Sequence, residues 1–130
     1  MTVEVRDRDR IATVDAGQAM PFDWGSIQWL ISGSQVADSR LTFGYVEILP
    51  GQKNAKHDHP NCDEVLYLIE GELQHSLGDE RFPLRAGMAI HIPTGVPHDA
   101  INSGTSTARM VVAYSTDDRQ TTTLDDGQEL

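Results

Sequence analysis

Glycine and proline recur at short intervals through the middle of the chain, at Gly44, Pro50-Gly51, Pro60, Gly71, Gly78, Pro83, Gly87, Pro93, Gly95, Pro97 and Gly104. No long helix fits between them. The intervening runs are rich in Val, Ile, Leu and Tyr: Leu41–Leu49, Glu64–Ile69, Glu72–Leu77, Met88–Ile92, His98–Asn102 and Arg109–Ser115. Short apolar runs bounded by turn formers read as strands, and no stretch sustains three turns of helical periodicity. Pro21–Trp24 is read as a short helix or an irregular segment. Many short strands in 130 residues predict an all-β fold, an antiparallel sandwich or barrel.

A chain of this length makes one domain and buries roughly two-thirds of its unfolded surface. Aromatic residues are only 6% of it, so the core must come mainly from Val, Ile, Leu and Ala, with Trp24 and Trp29 in the core or at an interface. No apolar run reaches the ~20 residues of a membrane span. The first twenty residues carry no apolar stretch of the secretory kind. The single cysteine, Cys62, excludes an intramolecular disulfide, and a cytoplasmic setting is expected.

Ten Lys and Arg against twenty Asp and Glu leave a net charge of −10, and Arg6, Arg8 and Arg10 are each separated by an aspartate. Nucleic acid and anionic membrane are therefore poor partners. Residues 1–115 are expected to form the domain, with a polar N-terminal arm. Residues 116–130 set Asp117, Asp118, Asp125, Asp126 and Glu129 against Arg119 alone, and are expected to form an acidic tail, mobile or docked on a partner subunit.

The chemistry concentrates in two segments. His57 and His59 are two apart, so on a strand both imidazoles leave the same face. Pro60-Asn61 then turns the chain, and Glu64 opens the next strand, able to return beside them. Further on, the turn containing Pro93, Gly95 and Pro97 delivers His98 onto another strand. Imidazoles and a carboxylate converging in this way are a set of metal ligands. Such donors suit one divalent transition metal, Fe, Mn, Ni, Co or Zn, rather than Ca or Mg.

These segments resemble the two motifs of the cupin family. The first is glycine, five residues, His, one residue, His, three or four residues, Glu, six residues, Gly; it is filled by Gly51, His57, His59, Glu64 and Gly71. The second is glycine, five residues, Pro, one residue, Gly, two residues, His, three residues, Asn; it is filled by Gly87, Pro93, Gly95, His98 and Asn102. The resemblance implies a small double-stranded β-helix, or jelly roll, with His57, His59, Glu64 and His98 on one metal inside the barrel. It also implies a homodimer, with Trp24–Leu30 near the interface.

Other polar residues have less specific readings. Asn102 is assigned a turn or supporting hydrogen bond, Cys62 a small filler role, and His75 a solvated position. Met88, Ile90 and Ile92 share one apolar face, which turns His91 away from it. Leu66 and Leu68 share the parity of Glu64 and are expected to wall the cavity. Glu47, Tyr45, His91 and Tyr114 are the candidates for a catalytic acid or base.

Four protein ligands leave about two open positions on an octahedral ion, and a site charge near +1 favours an anionic or enolisable ligand. The expected substrate is a small oxygenated molecule. Dioxygenase chemistry stands first, because open neighbouring positions with His and carboxylate ligation suit oxygen activation. Lewis-acid isomerase, lyase or polyketide cyclase chemistry is the alternative. A non-catalytic small-molecule binding module that keeps its metal is the other.

Overall fold

The computed structural model describes residues 10–124. Among them are eleven strands: β1 (Met20–Phe22), β2 (Gly25–Ile31), β3 (Thr42–Ile48), β4 (His57–Asp58), β5 (Glu64–Glu70), β6 (Glu72–Leu77), β7 (Glu80–Arg85), β8 (Ala89–Ile92), β9 (Ala100–Asn102), β10 (Ala108–Tyr114) and β11 (Thr122–Thr123). A 3₁₀ turn, Ala16–Gln18, is capped by the Asp15 carboxylate accepting from the Gly17 N–H. No described helix is long and apolar enough to cross a membrane.

All pairings are antiparallel. A six-stranded sheet runs β1-β2-β3-β10-β5-β8, a three-stranded one β7-β6-β9, and β11 pairs with β4. Strands distant in sequence lie side by side, β10 between β3 and β5 and β9 beside β6, which is the nesting of a jelly roll. Side chains alternate strictly along the central strands. Thr42, Gly44, Val46 and Ile48 of β3 face in, as do Ala108, Met110, Val112 and Tyr114 of β10. Between the sheets they meet Trp24, Ile27, Leu66, Leu68, Leu73 and Leu84 in one core.

Each run assigned to a strand is one, within a residue or two at its ends. Two regions differ from expectation. Pro21–Trp24 is neither helical nor irregular; it forms the end of β1 and the tight turn into β2, with Phe22 opposite Gly25. Gly25 makes this approach to β3 workable. Its φ is +156°, and a Cβ there would stand 1.9 Å from the Glu47 carbonyl oxygen. β7 forms despite Pro83, because it is the outer strand of its sheet, where a missing N–H disturbs little.

The segment after Ser115 is not loose over residues 116–124. It folds back across one end of the barrel. The Gly33 N–H donates to the Asp117 carbonyl (3.0 Å), Thr122 and Thr123 pair with Asp58 and His57, and the Leu124 N–H donates to the Lys56 carbonyl (2.8 Å). Charge content suggested a solvated tail. Backbone groups, which composition does not report, hold it down. The rest of that tail and the first nine residues of the arm lie outside the described residues.

Candidate metal centre

Strand parity carries the site. Glu64 begins β5 and points inward with Leu66 and Leu68; across the ladder it faces Tyr114 of β10 on one side and Ile92 of β8 on the other. His57 and His98 exchange backbone hydrogen bonds in both directions, at 3.0 and 2.8 Å, so their side chains leave the same side of a two-residue bridge. His59 lies two residues beyond His57, with its carbonyl accepting from the Gly95 N–H at 2.9 Å. Gly95 takes φ +76°, so the turn that sets up His98 is pinned on the loop that carries His59.

The result is one cluster. His57, His59, Glu64 and His98 are all buried, and one donor atom from each lies within 4.8 Å of the others. The imidazoles are oriented from behind. Their Nδ1 atoms sit against backbone carbonyls: His57 on Ala55 at 2.6 Å, His59 on Gln120 at 2.9 Å, His98 on Val96 at 2.9 Å. A carbonyl can only accept, so each Nδ1 carries a proton, and a ring without a second proton presents its Nε2 lone pair to the centre.

Around that centre the polar groups are imperfectly matched to one another. The Nε2 atoms of His59 and His98 stand 3.2 and 3.1 Å from the same oxygen of Glu64. That of His59 makes no hydrogen bond there. Three lone pairs and one carboxylate aimed at a common point, with a buried nitrogen left over, fit a divalent transition metal.

The titration behaviour follows the crowding. Burial, reinforced by repulsion from a charged His98, pushes His57 down to about 3. Burial alone would raise Glu64, but the close approach of the His59 and His98 imidazoles outweighs it and holds the carboxylate well below its usual range. Burial opposes protonation of His98 too, yet its bond to Glu64 prevails and its pKa rises. Tyr114 is driven well above its ordinary value, first by burial and then by the charge of Glu64.

Inside the barrel the open space beside the cluster is about 30 Å³, walled by Ile27, Val46, Leu66, Met110 and Val112 among others. That is room for about one water. A larger basin of about 630 Å³ opens outside it, lined by Trp29, Ser32, Gln35, Thr42, Asp117 and Arg119.

Of the four acid–base candidates, only Tyr114 faces the site, its ring 5.0 Å from that of His59. Tyr45 and Glu47 alternate outward on β3. There the tyrosine hydroxyl donates to Glu47 at 2.8 Å, beside Val14, Ala16 and Pro21 in a separate depression of about 260 Å³. His91 is exposed as well and pairs with Asp63 at 2.9 Å. Asn102 braces a turn, its Nδ2 donating to the Ile48 and Ser106 carbonyls and its Oδ1 accepting from the Gly104 N–H. Cys62 is buried in the core, and Trp24 is likewise part of that core, stacked on Phe22 at 4.9 Å.

His75 corrects a reading. It is buried, not solvated, and its ring stacks at 5.9 Å and 10° on that of His98. Parity with Leu73 was the available signal, since both project inward from β6. Two further groups carry no such local mark. Asp99, next to His98, is buried and bonded to Ser76 Oγ at 2.7 Å and to Arg81 at 3.1 Å. Arg119, one charge in an acidic stretch, lies over the ring of Trp29 at 4.4 Å and lines both the inner cavity and the outer basin.

Comparison with known proteins agrees with this architecture. The Cupin domain model matches residues 44–114. The chain is 34% identical over 111 residues to Polyketide synthase CurC of Streptomyces cyaneus, covering 84% of this chain and 72% of that protein. It is also 34% identical over 91 residues to the tetracenomycin polyketide synthase protein TcmJ of Streptomyces glaucescens, which spans 70% of this chain and 61% of the relative. A solved oxalate oxidase superposes with a TM-score of 0.78 at 20% identity, over 93% of this chain and 66% of that one, a likeness of fold. By its motifs, its nested strands and these matches, the chain belongs to the cupin family.

Proposed function

We propose that the protein is a metal-dependent enzyme that acts on a small, oxygen-rich molecule of polyketide type, with His57, His59, Glu64 and His98 as ligands. The observation that carries this reading is the convergence of four buried donor atoms within 4.8 Å, with each imidazole held by a carbonyl behind it. When bound there, a divalent transition metal supplies Lewis acidity to adjacent hydroxyl, carbonyl or carboxylate oxygens.

The chain's own groups do the rest. Leu66, Met110 and Val112 exclude water from the reacting end and lower its dielectric. Tyr114, held protonated by burial, offers a hydroxyl proton beside His59 rather than acting as a base. His75 and the Asp99–Ser76 pair fix His98 from behind. The names of the two Streptomyces relatives support polyketide-type substrates, and non-redox cyclase, isomerase or lyase chemistry is the first reading. Oxygen-dependent chemistry is the second reading, favoured by a ligand set of three His and one Glu. A homodimer is proposed with either.

The test is a screen of polyhydroxylated aromatic and β-dicarbonyl compounds against the zinc and Fe(II) forms, in air and under nitrogen. Turnover unchanged under nitrogen supports the cyclase, isomerase or lyase reading. Turnover by the Fe(II) form with matched oxygen uptake supports the second. Binding with the compound always returned unaltered rejects both in favour of a binding module.

A further inference from the structure

The inner cavity and the outer basin meet at one side chain. Arg119 lines both, with its guanidinium over the faces of Trp29 (4.4 Å) and Tyr114 (5.3 Å). Its Nε is buried and, among the described residues, has no hydrogen-bond acceptor. Held on aromatic faces and interacting with the Tyr114 hydroxyl, the guanidinium keeps its Nε–H for another partner.

Size sharpens the point. Ligand pockets for small molecules span about 300–1,000 Å³. The inner cavity, at about 30 Å³, falls far below this range, and the outer basin, at about 630 Å³, lies within it. A substrate body therefore occupies the basin, and only its reacting oxygens pass inward beyond Arg119. The guanidinium edge that carries Nε is of the kind that matches a carboxylate.

We propose that Arg119 is the specificity-determining residue of this site: it binds the carboxylate of a small organic acid in the outer basin and so presents the neighbouring oxygens to the histidine cluster. This rests on the metal-enzyme reading above and narrows it to carboxylic acids. The placement also gives the folded-back segment a role beyond covering the barrel end, since the Asp117 and Gln120 carbonyls, accepting from the Gly33 N–H and the His59 Nδ1–H, hold the chain on either side of Arg119.

The test is calorimetric titration of the zinc-loaded protein with 2-hydroxybenzoate and with its neutral amide, 2-hydroxybenzamide, comparing wild type with Arg119→Gln. Zinc content is measured in both by elemental analysis, and folding by thermal melts. The expected result is equal zinc content, a loss of affinity for the acid of about tenfold or more in the variant, and equal binding of the amide by both. Equal affinity of both proteins for the acid overturns the proposal, as does an equal loss of acid and amide, or a wild type that holds zinc but does not bind the acid. A wild type that holds no zinc instead overturns the metal reading on which it rests.

Discussion

The Nδ1 of His59 lies 2.9 Å from the carbonyl oxygen of Gln120, across 61 positions of sequence. A segment with almost nothing to bury thus orients an imidazole of the cluster. Removing such a supporting contact typically costs about 10–100-fold in metal affinity. Ending the chain after Thr116 is expected to weaken zinc binding by that order, measured by competition with a chromophoric chelator. An affinity equal to that of the full chain would show that the carbonyl is dispensable.

His57→Ala and His98→Ala each remove one of four converging donors and leave the remaining polar atoms buried. Elemental analysis is expected to show about one equivalent of zinc in the wild type and near none in either variant, with the β circular-dichroism signal kept. A variant that retains its full equivalent would remove that histidine from the ligand set.

Acid should unfold the metal-free protein from an unusually high pH. His57 stays neutral in the fold down to about 3, while its unfolded counterpart takes a proton near 6.5. The unfolded chain therefore binds more protons between these values, and stability falls on acidification by about 1.4 kcal/mol per pH unit from this group. Glu64, with its pKa lowered, adds to the loss below its ordinary value. His98 has the opposite sign, but its raised pKa contributes fully below 6.5 and does not cancel the slope there. Urea midpoints of the metal-free protein at pH 7 and pH 5 measure the effect; equal midpoints would contradict a buried neutral His57.

Gly25→Ala would drive a methyl group against the Glu47 carbonyl in a backbone conformation that L side chains rarely adopt. The expected loss is more than about 1 kcal/mol, because no flexible side chain is there to move aside. A shift of the denaturation midpoint decides it, and an unchanged midpoint would mean that β2 and β3 pack differently.

His91→Ala and Glu47→Gln lie outside the barrel on exposed or partly exposed positions. Each should change stability by no more than about 0.5 kcal/mol and leave zinc content untouched. A fall in zinc content for either would place it in the site after all.

Much of the candidate centre was legible because side-chain placement in a β fold is a matter of parity. His57 with His59, and Glu64 with Leu66 and Leu68, share faces because strand side chains alternate with a period of two. Glycines at fixed offsets mark the turns between them, and Gly71 and Gly95 do take positive φ. The same parity was available for His75, through Leu73, and would have placed it inside.

For Tyr45 and Glu47 against Tyr114, parity within each strand was equally plain, but not which parity faced the core; only the ladder of β3 and β5 on β10 decides that. Spacing along the chain thus determined the strands, the turns and the four converging donors, since each depends on residues a few positions apart. What the folded-back segment does, where Arg119 stands and how His98 is backed by His75 were decided by the tertiary structure. Those contacts join backbone carbonyls and side chains tens of residues apart, and local composition carries no record of such pairings.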